Sequence, residues 1–143
     1  MRRCTVLVVM CIALMASAVP VSSATRNVMI LFDERREVPE RAALEAEFVR
    51  ALTSNSPDHI EIYRETMGLS RFGSDTYLTL LKNYLRDKYV DKKIDVAVAV
   101  YGPALEFLLN NGEAIFPGTP IVFCGVDRRE LGGRSLPPHV YGV

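Results

Sequence analysis

The sequence predicts an α/β fold, a three-layer sandwich with a mostly parallel sheet in the order 2-1-3-4-5. Three observations carry that expectation. Short apolar runs at Asn27–Phe32, Ile94–Val100 and Ile121–Cys124 are apolar on both alternating faces, as strands buried on both sides of a parallel sheet are. Amphipathic helical patterns lie between the runs. The resulting β-α-β-α-β-α-β order, with a fifth strand expected in the closing Pro137–Val143 stretch, implies right-handed crossovers and helices on both faces.

The elements follow in turn. NVMILF ends abruptly at the charges Asp33-Glu34-Arg35-Arg36. Val38-Pro39 opens a helix, since proline suits a first turn where its missing N–H is not needed. Leu44, Phe48 and Leu52, with Val49 beside them, give that helix one apolar face. HIEIY, from His59 to Tyr63, alternates polar and apolar residues and so reads as a less buried, edge-like strand. An irregular connection leads to Ser74, a plausible N-cap, with Asp75 favouring the same helix end. The helix after it carries Tyr77, Leu81, Tyr84 and Leu85 on one side, with Leu78 adjacent.

The central unit is Ile94–Leu109. Its strand feeds into Tyr101-Gly102-Pro103, where Gly102 is expected to make the tight turn and Pro103 to start a helix. Asn110-Asn111-Gly112 is expected to stop that helix. Phe116–Pro120 reads as a turn before the Ile121–Cys124 strand.

Composition narrows the function classes. The chain has 143 residues, a one-domain length, and 49% hydrophobic content rules out wholesale disorder. With 17 basic and 17 acidic residues, there is no basic excess to neutralise phosphates, which disfavours nucleic-acid binding. Residues 1–24 have the layout of a secretory signal peptide. Arg2 and Arg3 precede an apolar core from Val6 to Met15, and small residues follow up to Ala24. An uncleaved anchor spanning Cys4 to Ala24 is the alternative. No cysteine at the cleavage site indicates a lipid anchor. Residues 25–143 form the α/β lobe, which the leader directs to the periplasm or another extracytoplasmic compartment. Without the leader, Cys124 is the one remaining cysteine, so no intrachain disulfide forms.

In a 2-1-3-4-5 sheet the first and third strands are neighbours and the switch point lies between them, where ligands bind outside the carboxyl ends. That places Asp33, Glu34, Tyr101, Gly102, Ala104, Gly125 and Asp127 around one crevice. Free amides at Ala104 and Leu105 and the helix dipole would attract a carboxylate. Tyr101 could stack on a ligand or donate its hydroxyl. Asp33, Glu34 and Asp127 could take an ammonium group. A small zwitterion such as an amino acid satisfies both sets. The competing explanation is architectural: Gly-Pro is a common strand-to-helix turn, and Asp33-Glu34 is solvated loop charge.

Enzyme readings find little. There is no dinucleotide fingerprint, no phosphate loop and no zinc-protease motif. His59 and His139 have no metal-ligand spacing, and no cofactor is implied. Cys124 with His139 as its base is conceivable but otherwise unsupported, and a buried inert thiol is the plainer reading. A phosphoacceptor domain of this strand order needs an acid after the third strand, where Tyr101 stands.

The stretches EIYRETMGLSRF (Glu61–Phe72), KYVDKKIDVAVAVYGPALEFLL (Lys88–Leu109) and FPGTPIVFCGVD (Phe116–Asp127) resemble exported substrate-binding proteins of ABC transporters. They are more similar still to the periplasmic-binding-protein-like sensor regions ahead of some bacterial histidine kinases. The resemblance runs from Asn27 to Val143, and FPGTPIVFCGVD is its most specific part. It implies a type I periplasmic-binding-protein-like lobe. The small-molecule solute, an amino acid or organic acid, would be passed to a membrane permease. The alternative it implies is an extracytoplasmic ligand-sensing domain coupled to a sensor kinase of a two-component system. Carried over by position, the lobe-one contacts fall on the seven residues named above. Two lobes need roughly twice this length, so the resemblance implies that only the first lobe is present, as a fragment that binds solute weakly or not at all. A lobe without its partner would expose apolar surface, so a homodimer is also expected.

Overall fold

The computed structural model describes residues 24–33, 39–127 and 129–143, with helix residues 39–42, 44 and 45 described by backbone alone. Five strands, β1 (Thr25–Phe32), β2 (His59–Thr66), β3 (Val96–Val100), β4 (Ile121–Cys124) and β5 (Val140–Gly142), form one sheet in the order β2-β1-β3-β4-β5. Every pairing is parallel. The predicted α/β architecture and strand order are therefore those of the protein, and the alternating HIEIY strand does occupy an edge.

Three helices connect the strands: α1 (Pro39–Ser54), α2 (Asp75–Lys88) and α3 (Gly102–Ile115). Strand alternation divides the core in two. Met29, Leu31, Ala97 and Ala99 face α2 and α3, where Leu81, Leu85, Leu105 and Leu108 pack on them. Val28, Ile30, Phe32, Val98 and Val100 face the other way and carry Phe48 and Leu52 of α1. Among the described residues no helix is long and apolar enough to cross a membrane.

The cap on α2 follows the sequence. Ser74 is extended (φ −73°, ψ 149°), and its hydroxyl accepts the Tyr77 N–H at 3.2 Å. This satisfies one donor of the unpaired first turn. Leu81 and Leu85 are buried as expected, whereas Tyr84 is 51% exposed. It lies on the helix flank beside Lys88, whose ammonium donates to the Tyr84 hydroxyl at 2.9 Å.

α3 departs from its expected end. It runs one turn past Gly112 to Ile115. Gly112 is buried, and a Cβ there would lie 3.4 Å from Ile121 Cδ1. Close packing of helix on strand, with burial of Ile115, outweighs the weak helix propensity of glycine.

Candidate functional site

The sheet register brings most of the predicted residues to one rim. Phe32 pairs with Val100 and Val100 with Cys124. The residues one step beyond, Asp33, Tyr101 and Gly125, therefore sit at adjacent strand ends at the carboxyl edge. Gly102 and Ala104 follow in the first turn of α3. Glu34 lies outside the described residues. Asp127 is exposed at the mouth of the β4–β5 connection, and its Oδ1 accepts the Arg129 N–H at 2.8 Å. That bond commits one of its oxygens to a local turn.

Asp33 is not a solvated loop charge. It is 8% exposed, a buried polar residue among the described ones. The segment after β2 wraps it. Its backbone carbonyl accepts the Gly68 N–H, and its Oδ1 accepts the Ser70 N–H at 3.1 Å. Met67 N–H donates to the Phe32 carbonyl at 2.7 Å just before. No cation among the described residues stands within ion-pair distance of Asp33. A carboxylate withdrawn from water to this degree is costly unless it is paired. The wrapping segment contributes Gly68 and Ser70, which the sequence reading treated as an irregular connection.

The turn into α3 is built differently from its expected form. Tyr101, not Gly102, takes the left-handed backbone, at φ 72° and ψ 167°. That region belongs almost entirely to glycine, and a bulky residue there stores about 1–3 kcal/mol. The surroundings hold it. Tyr101 N–H donates to the Cys124 carbonyl at 3.0 Å, and its own carbonyl accepts the Leu105 N–H at 3.2 Å. The ring covers Gly125, where a Cβ would come within 2.8 Å of Cδ1 and Cε1. The Leu105 amide is therefore committed, contrary to the expectation that it is free. Pro103 has no N–H, so the first-turn donors left at the helix start are Gly102 and Ala104.

Gly102 has a separate reason to lack a side chain. A Cβ there would meet Glu130 Oε2 at 2.9 Å. Glu130 thus lays a carboxylate from the β4–β5 connection against the start of α3, which has no side-chain cap. No local pattern in the sequence announces a contact between residues this far apart.

The cysteine nucleophile has no geometry to support it. Cys124 ends β4, whereas His139 lies beside the start of that strand, its carbonyl accepting the Ile121 N–H. The two are about 10 Å apart along the strand direction. Burial pushes the half-buried Cys124 thiol up, away from the reactive thiolate.

Two further hollows matter for placement. A groove of about 430 Å³ between α2 and α3 begins at the rim, with Leu69 and Pro103 among its walls. A larger cavity of about 620 Å³ lies at the amino ends of β3 and β4, around Tyr89, Ile94, Phe116 and Pro120. Neither hollow is lined by Asp33, Tyr101, Gly102, Ala104, Gly125 or Asp127. The switch-point argument and the buried Asp33 favour the carboxyl rim despite the smaller hollow.

No protein-family model, no curated protein and no solved structure matches the chain.

Proposed function

We propose that this α/β lobe is a non-enzymatic solute-binding domain that takes a small molecule bearing a cationic group, such as an amino acid, at the carboxyl rim of its sheet. On this reading the cation sits on Asp33, and an anionic group of the same molecule reaches the Gly102 and Ala104 amides by taking the place of the Glu130 carboxylate that lies against Gly102 in the solute-free chain. Tyr101, fixed against Gly125, supplies an aromatic wall. The single observation that supports it is the burial of Asp33 with no cation at ion-pair distance among the described residues: a ligand cation would relieve that cost. The domain would serve an exported uptake protein that delivers solute to a membrane permease.

The test is calorimetric titration of the purified chain with a panel of amino acids, amines and organic acids, run in parallel on Asp33→Asn. The reading expects saturable binding of an amine-bearing solute that the variant loses by about tenfold or more, as when a hydrogen-bonded charge partner is removed. Binding of organic acids alone, or amine binding that is equal in both proteins, would overturn it.

A further inference from the structure

The two edges of the sheet are built differently. β5 is three residues long and follows Pro137-Pro138, and short, proline-led edges resist pairing. β2 is eight residues long, contains neither Pro nor Gly, and pairs with β1 along its whole length. The amides of His59 and Met67, one at the start of β2 and one just past its end, donate towards β1. Alternation therefore turns the Ile60 and Ile62 amides outward. Among the described residues, no strand lies beyond β2. Ile60 and Ile62 are apolar yet only half-buried at this edge.

We propose that the outer edge of β2 pairs antiparallel with the same edge of a second copy of this chain, about a two-fold axis through Ile62. The side chains select this register. With Ile62 opposite its own mate, the two residues exchange both N–H···O=C bonds. His59 then faces Glu65 of the second copy, Glu61 faces Tyr63, and Ile60 faces Arg64, so no like charges oppose. Moving the axis to Tyr63 sets Glu61 against Glu65, and moving it to Glu61 sets Glu61 against itself. Both shifts are penalised.

Glu65 is prepared for this contact. The Lys88 ammonium at 2.5 Å and the Tyr89 hydroxyl at 2.6 Å both donate to its Oε1. Its Oε2 is left to accept from a His59 imidazole across the edge. A strand pair alone buries less than the roughly 1,600 Å² of a standard interface. The exposed flank of α2 at Tyr84, tied to Glu65 through Lys88, extends the same surface.

Sedimentation equilibrium of the purified full chain, from about 1 to about 100 µM, tests the proposal in the range of weak interfaces. The expected result is a reversible dimer. His59→Glu places an acid opposite Glu65 at an exposed position and should weaken association by about tenfold or more. Ile62→Lys should abolish it. Circular dichroism checks that both variants fold, and if Ile62→Lys does not, His59→Glu alone decides. A monomer throughout the range overturns the proposal. So does a dimer indifferent to His59→Glu, or a monomeric chain that binds an added extended peptide along this edge instead.

Discussion

The ring of Tyr101 lies across Gly125 so closely that a Cβ on the glycine would stand 2.8 Å from two of its carbons. The contact joins the end of β3 to the end of β4. It also holds Tyr101 in a backbone region that side chains avoid. Replacing Gly125 with Ala therefore fails twice, by collision with the ring and by its own φ of +70°. The variant should lose about 1–3 kcal/mol of stability in urea unfolding. Quenching of tyrosine fluorescence by iodide should rise as the ring is displaced.

Backbone strain at Tyr101 can be separated from the ring contact. Tyr101→Ala keeps the unfavourable φ and loses the ring; Tyr101→Gly loses the ring and the strain together. The glycine variant should be more stable than the alanine variant by about 1 kcal/mol. At an ordinary strand end the order would be reversed.

If Asp33 binds solute as proposed, it does so at a cost in stability. Asparagine at that position keeps an oxygen for the Ser70 N–H and removes the buried charge. In the absence of solute, Asp33→Asn should therefore unfold at higher urea concentration, with a gain of about 1 kcal/mol. An unchanged or lower midpoint would mean that the carboxylate is already compensated.

The packing of α2 gives a graded pair. Leu85 is fully buried, whereas Leu80 on the same helix is 62% exposed. Leu85→Ala should cost about 2–5 kcal/mol by emptying volume in the core. Leu80→Ala should stay within about 0.5 kcal/mol. Thermal unfolding of both variants checks the contrast.

Alkaline pH acts through Glu65. Its carboxylate accepts from Lys88 and Tyr89. Lys88 is pushed up, chiefly by the hydrogen bond to Glu65. Tyr89 is pushed up chiefly by burial, then by its bond to Glu65. Both groups hold their protons more tightly when folded. Their contribution is complete below the ordinary values of 10.0 for tyrosine and 10.5 for lysine, and is lost as pH rises beyond them. Stability should fall above about pH 10, and Tyr89→Phe should fall less steeply. At the acid end, Arg26 hydrogen-bonds Asp58 and holds its carboxyl below the usual range. That contribution is present at neutral pH and disappears as pH falls through the depressed value, so Asp58→Asn should flatten the acid limb.

Most of the architecture could be read from local signals. The two-faced apolar runs marked the buried strands, alternation in HIEIY marked an edge, and Ser74 marked a helix start. The misreadings have a common cause. Gly102 looked like the residue that carries the turn, but Tyr101 carries it, because Gly125 leaves room for its ring. Gly112 looked like a helix stop, but Ile121 packs on it. Asp33 looked like a site residue, but its burial was not foreseen, because the segment after β2 folds over it. Each depends on a contact between residues distant in sequence, which neither propensity nor periodicity encodes. Glu130 against Gly102 is the clearest case: neither residue is unusual alone.

The position of β1 between β2 and β3 also fixes the timing of assembly. Its residues join β2 some 34 positions later and β3 some 68 positions later, as the bonds from Ala24 to Asp58 and from Asn27 to Asp95 mark. The first of these five strands to be made is thus the one that waits longest for its full set of neighbours. Closing such loops costs entropy before any ladder rewards it, which makes parallel sheets slow to form. The nascent chain carries the buried Val28–Phe32 run half-paired until Val100 has emerged, and for that interval its greatest hazard is association with other unfinished chains.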